Sequence, residues 1–194
     1  TGGLYTPVRR PGDIVAMISG VSFANIEDVV AVNLTLMEWA GPNDVLRPGA
    51  DFDFKPVTRE YADSLRAEGL HVVSCYQYGK PGWPNSPSDF TRGYDGGVAD
   101  AQTALRLHGA AGGPGSAPIF FSVDEPIDAQ TWKSTGVQWF RGINSVLGVA
   151  RTGIYGGNQQ CGWAIRDGVV GSSSTPGFRW AWQTKAWSGG EREP

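Results

Sequence analysis

The chain has 194 residues, 40% of them hydrophobic and 18% charged, and a net charge of −3. This suits one soluble domain with a sizeable core, spanning 1–194. It lacks the basic surface that nucleic acid requires, Arg9 and Arg10 being the only adjacent basic pair. No apolar run approaches the roughly 20 residues of a membrane span, and two cysteines with two histidines are too few for a disulfide framework or a zinc centre, so no metal is expected.

Apolar, β-branched runs of strand length recur along the chain. The first covers 14–18 and the second 30–36, the latter running on to Glu38. An irregular stretch follows, 39–57, with Pro42, Pro48 and Pro56 beside Asp51 and Asp53. A helix is predicted over 58–68, opened by Thr58 as cap, with Ala62, Leu65 and Leu70 on one side. The third strand, 71–76, holds Cys75 and leads into a second long stretch, 79–93, with Pro81, Trp83, Pro84 and Pro87. Loops this long are usually functional or disordered.

Helical spacing of Val98, Ala101 and Leu105 predicts a helix over 94–107. The fourth strand covers 119–123. A helix over 128–147 then opens on Asp128 and carries Trp132, Trp139 and Ile143. The fifth strand, 152–155, precedes a helix over 159–166 that contains Cys161 and is closed by Gly168; a sixth strand covers 178–182. Cys75 and Cys161 read as buried free thiols, and His71 and His108, at a strand start and a helix end, as structural.

Strands alternating with helices imply a parallel sheet, open or closed. No strand is followed by GxGxxG or GxxxxGK[ST], so the nucleotide-binding open sheet lacks its phosphate cradle and no cofactor is expected. The expected fold is therefore α/β, a (β/α) TIM-barrel-like domain. Eight units of about 250 residues make a full barrel, and six strands are read before the polar tail 189–194. The last two strands are thus missing, and a truncated C-terminus is the favoured explanation over a barrel that closes in a reduced way or is completed by another segment. The chain begins at Thr1 rather than Met, as a processed precursor or a trimmed chain would.

The sharpest local signal is the apolar strand ending in Asp124, Glu125 and Pro126. Carboxylates at a strand's C-terminal end face a barrel mouth, and glycoside hydrolysis uses one protonated and one ionised carboxyl. The plain alternative is a solvated turn that caps the next helix. Asp124 is the first catalytic candidate, with Glu125 or Glu38 as partner. Neighbours in extended chain point in different directions, so Asp124 and Glu125 do not automatically face one substrate. Tyr76, Gln77 and Tyr78, Tyr155 and Asn158, and Trp182 and Gln183 stand at other strand ends. Aromatic faces stack on sugar rings, and amides and phenols read hydroxyls, so these seven are candidate substrate-binding residues; packing at the rim is the competing explanation for each.

The segments HVVSCYQYGK (71–80), AAGGP (110–114), API (117–119), RTGIY (151–155) and Trp182-Gln183 resemble the glycoside-hydrolase-like domain of actinobacterial secreted proteins. The best-known type is a mycobacterial cell-envelope protein exported by the twin-arginine route. The resemblance covers 58–187 and implies a barrel related to lysozyme-type muramidases, a cell-wall glycan ligand, and a secreted or envelope location. Asp124 matches the family's acidic residue after strand four. The muramidases' second carboxylate falls where this chain has Pro126, one place beyond Glu125. The aspartate usual after strand one has only Asp13 near it, ahead of the first predicted strand, and a further acid on the last strand would lie beyond Pro194. Two functions are thus open. One is a hydrolase of bacterial cell-wall polysaccharide. The other is a glycan-binding or structural module without catalysis, in a cell envelope or a phage tail or lysin.

Overall fold

The computed structural model describes residues 29–33, 57–67, 71–79, 87–174, 176–184 and 188–189. Five strands lie among them: β1 (Val29–Asn33), β2 (His71–Tyr76), β3 (Ile119–Val123), β4 (Thr152–Gly156) and β5 (Ala181–Gln183). They form one sheet in the order β1-β2-β3-β4-β5, every neighbouring pair parallel. The helices are α1 (Arg59–Ala67), α2 (Gly93–Ala110), α3 (Ala129–Thr131), α4 (Val137–Leu147) and α5 (Asn158–Arg166). α3 passes through a π-helical turn, Trp132–Gly136, into α4. Both predicted caps are made. Thr58 Oγ1 accepts the Tyr61 N–H at 3.1 Å, and Asp128 Oδ1 accepts that of Thr131 at 2.7 Å.

Strand order and packing together identify the architecture. A doubly wound sheet reverses direction partway across and carries helices on both faces. Here the order never reverses, and the helices lie on one face. Tyr76, Ile119, Phe121, Val123 and Ile154 pack with side chains of α2, α4 and α5, and Val72 packs with Ala62 and Leu65 of α1. The alternate residues Val73, Cys75, Phe120, Tyr155 and Trp182 form a separate cluster on the opposite face. A parallel sheet must be covered on both sides, and a singly wound one achieves this by curling so that its second face becomes a barrel interior. The sheet is consistent with a TIM-barrel-like fold.

Five of the six predicted strands have counterparts among the described residues, and the remaining one, 14–18, lies outside them. Two expectations need correction. The last strand is shorter than 178–182. Trp180 N–H bonds to Gly171 O and Ser173 N–H to Phe178 O, and Ser172 and Arg179 form an antiparallel bridge. That short hairpin takes up the Phe178 carbonyl and the Trp180 N–H, and only from the Trp180 carbonyl, which accepts the Ile154 N–H, does the chain join β4. Finally, Cys161 is buried but Cys75 only half so, since it lies on the inner face.

Behind the sheet, α2 and α4 meet at backbone distance. A Cβ on Gly97 would stand 2.0 Å from Trp139 O, and one on Gly142 2.0 Å from Tyr94 O. This close crossing seats Trp139 edge-on to Phe121 of β3, ring centres 5.8 Å apart. Trp132 and Trp139 are both fully buried there, so these two rings are core.

His108, near the end of α2, is held by Ser74 Oγ at its Nδ1 (2.8 Å) and by Pro114 O at its Nε2 (3.0 Å). Burial, with Arg151 and Arg66 nearby, holds its pKa below the ordinary 6.5, against the contribution of the Pro114 carbonyl. The unfolded chain therefore binds a proton at His108 at a pH where the folded chain still resists it, so stability falls as pH drops through 6.5. Asp89 has the opposite slope. Its folded pKa is raised to about 6, so its contribution is lost as pH rises from 3.8 through 6. The His108 effect is thus read as a difference: between pH 7.5 and 5 the urea midpoint of wild type should fall more than that of His108→Gln. Parallel curves would contradict the assignment.

Candidate functional site

In a parallel sheet all strands end on one rim, and here that rim gathers Gln77 and Tyr78 after β2, Asp124 and Glu125 after β3, Asn158 after β4, and Gln183 at the end of β5. Asp124 continues the alternation Phe120, Ser122 on the inner face. Its charge is felt there. The Cys75 thiol is pushed up to about 12, by burial first and by Asp124 second. The Tyr155 phenol is likewise raised, by burial, then by Asp124 and Cys75. At neutral pH both side chains keep their protons and offer S–H and O–H donors beside a carboxylate. Below them Ser122 Oγ is buried without a hydrogen-bond partner among the described residues.

Glu125 lies one residue out of that alternation and is clamped. Ser88 Oγ donates to its Oε1, and Gln160 Nε2, from α5, donates to its main-chain oxygen at 3.2 Å. Trp182 closes the inner face of β5, edge-on to Tyr155 at 5.0 Å and to Phe120 at 6.1 Å. Tyr78 is the exposed aromatic of the rim, at 47%. Gln77 and Gln183 are half-buried at their strand ends, and Gln183 shares the alternation of Ala181, which packs toward the helices. Asn158 opens α5, its N–H donating to Ser188 Oγ at 3.1 Å; Ser188 in turn donates to Thr184 O. Tyr76 faces away from the rim's inner side. It is 3% exposed and its hydroxyl donates to Asp100 Oδ1 at 2.9 Å behind the sheet. Asp13 and Glu38 lie outside the described residues.

The structure adds a buried polar network that the sequence reading missed. Asp100 accepts from Tyr76 Oη, Trp139 Nε1 (2.8 Å) and Arg92 Nη2 (2.6 Å to Oδ2). Arg92 also reaches Asp89 at 2.8 Å, and Asp89 accepts the N–H groups of Tyr78 (2.7 Å) and Gly79 (2.9 Å). The rim after β2 is therefore fastened to the helix layer. One signal was available: Asp100 falls in the small, apolar stripe of α2 with Gly97, Ala101 and Ala104, and a charge there needs buried partners. Among the described residues no group of three or more His, Cys, Asp and Glu could hold a metal ion.

The chain is similar to known proteins. It is 40% identical over 124 residues, 63% of this chain, to Rv2525c of Mycobacterium tuberculosis, which is named as a candidate peptidoglycan hydrolase. It spans half the length of that curated relative. Two crystal structures of the Tat-secreted Rv2525c, with HEPES and with L-tartrate, match at 34% identity and TM-scores of 0.61 and 0.60. These matches cover 76% and 78% of this chain and 69% and 71% of those chains. The family model described as the Rv2525c-like, glycoside hydrolase-like domain matches residues 43–193. The chain therefore belongs to the Rv2525c-like family of glycoside hydrolase-like domains.

Proposed function

We propose that this domain binds bacterial cell-wall glycan across the strand-end rim and hydrolyses it, with Asp124 as the leading acidic group and Glu125 as its partner. The observation that carries the reading is Asp124 on the inner face at the end of β3, beside Cys75 and Tyr155, in a chain of a glycoside hydrolase-like family. Hydrolysis needs one carboxyl to donate a proton to the leaving oxygen and a second to activate water or attack the sugar carbon. The Tyr155 phenol, kept protonated, would donate to a sugar oxygen; the exposed Tyr78 ring would stack on a neighbouring sugar, with Gln77, Trp182 and Asn158 around them. Tyr76 would act from behind through Asp100. The name and the secretion of the mycobacterial relative support a peptidoglycan-like ligand and a secreted or envelope location.

A second reading is a glycan-binding module without catalysis. It is favoured by Glu125, whose carboxyl is occupied by Ser88 and which alternates away from the side of Asp124. Sugar release and co-sedimentation with purified mycobacterial and other Gram-positive cell walls separate the two. Release that Asp124→Asn abolishes while binding persists means a hydrolase. Binding with no release by either protein means a module, and no binding at all rejects both.

A further inference from the structure

Two consecutive residues, Ser88 and Asp89, hold two strand ends at once. They close the segment between β2 and α2 and are buried, 7% and 2% exposed. Ser88 reaches forward to β3, its hydroxyl donating to Glu125. Asp89 reaches back to β2, one oxygen accepting the Tyr78 N–H and the other that of Gly79. Asp89 does not stand alone, because Arg92 links it to Asp100, and Asp100 is anchored by Trp139 and Tyr76.

The arrangement is a costly way to satisfy two amides. Two buried carboxylates share one half-exposed guanidinium, so the local charge sum is −1, and burial together with Asp100 pushes the Asp89 carboxyl up to about 6. What the acidic pair adds is fixed geometry: carboxylate acceptors make the shorter, more directional bonds, and the exposed Tyr78 ring sits directly on the main chain they fix.

We infer that Ser88 and Asp89 are the positioning residues of the rim. Ser88 sets the Glu125 carboxyl at the end of β3, while Asp89 sets Tyr78 at the end of β2, so that carboxyl and aromatic ring keep one separation along the rim. The inference rests on the glycan reading above and deepens it. A fixed pairing of a stacking ring and a carboxyl suits a linear glycan bound through at least two neighbouring sugars, one on Tyr78 and the next at Asp124 and Glu125.

The two neighbours should then fail differently. Asp89→Asn points an N–H₂ donor at one of two amide donors, so amide exchange at whichever of Tyr78 and Gly79 loses its acceptor should speed about tenfold, ~1.4 kcal/mol of lost local protection. Co-sedimentation with wall glycan should weaken severalfold with it. Ser88→Ala should leave those two amides and the binding within about twofold of wild type while sugar release at saturating glycan drops about tenfold, and Ser88→Thr, which keeps the hydroxyl, should restore it. Unchanged exchange at Tyr78 and Gly79 in Asp89→Asn, or equal losses of binding and release in both variants, would overturn the inference. Exchange needs no glycan, so the two claims part cleanly. A wild type that ignores wall glycan while Asp89→Asn loosens the amides removes the glycan reading and leaves the clamp. A wild type that binds glycan with unmoved Asp89→Asn amides removes the clamp alone.

Discussion

Asp124→Asn should reduce sugar release from cell walls by about 10² to 10⁴-fold while changing thermal stability by less than about 1 kcal/mol. The shape of the side chain is kept, and Asp124 stands at a strand end rather than in the packed layer, where no large stability loss is expected. What disappears is the ability to carry and exchange a proton. The same substitution has a readout that needs no substrate. Asp124 is one of the two causes that raise the Cys75 thiol to about 12, and it also raises the Tyr155 phenol. Removing a negative charge makes a second one easier to form, so both groups should ionise at lower pH in Asp124→Asn. Burial remains the larger cause for both, so each should stay above its ordinary value. Alkylation of Cys75 at pH 9 should therefore be faster in the variant, and the last, high-pH part of the tyrosine absorbance titration should move to lower pH. If neither moves, the Asp124 carboxylate does not face the inner wall, and the site must be placed elsewhere.

The largest stability effect should come from a single methyl group behind the sheet. Gly142→Ala would put a Cβ 2.0 Å from the Tyr94 carbonyl oxygen and 2.9 Å from the Val98 nitrogen, both of which are backbone atoms of α2 and have no rotamer to escape into. The helices must separate instead. Trp139 would then lose its edge contact with Phe121 and lengthen its bond to Asp100. We expect a cost of about 3–5 kcal/mol, or roughly 10 °C in Tm for a chain of this size, and a similar cost for Gly97→Ala on the facing helix. Gly115→Ala, where nothing lies within 4 Å, is the matched control and should be near neutral. A Gly142→Ala protein as stable as the control would mean that the crossing is wider than described.

Much of this architecture was legible because its signals are local. A parallel strand covered on both faces must be apolar at successive positions, and 71–76, 119–123 and 152–155 read that way; the caps Thr58 and Asp128 need only hydroxyl or carboxylate chemistry at a helix start. The strand end was readable for the same reason, since Asp124 and Glu125 follow a run that is apolar but for Ser122. Less legible were features that depend on what lies across the chain. The π-helical turn at Trp132–Gly136 leaves no mark in a 3.6-residue pattern. Gly97 and Gly142 look like ordinary small residues until the other helix is in place. The hairpin that shortens β5 competes for backbone groups through pairings at a distance. Tyr76 shows the limit most sharply. Residue type and strand end suggested a sugar contact, yet one step of alternation turns it to the opposite face, where Asp100 receives it.

That one-step alternation has an evolutionary side. Along β2, β3 and β4 one set of residues is committed to the helix layer and its polar network, and the intervening set to the inner wall and mouth. Mutational drift in the second set can therefore sample new ligands, or let a reaction lapse into simple binding, without loosening the first. Exchanging inward side chains alone should therefore change what the mouth contacts while the packing of the helix layer stays as it is.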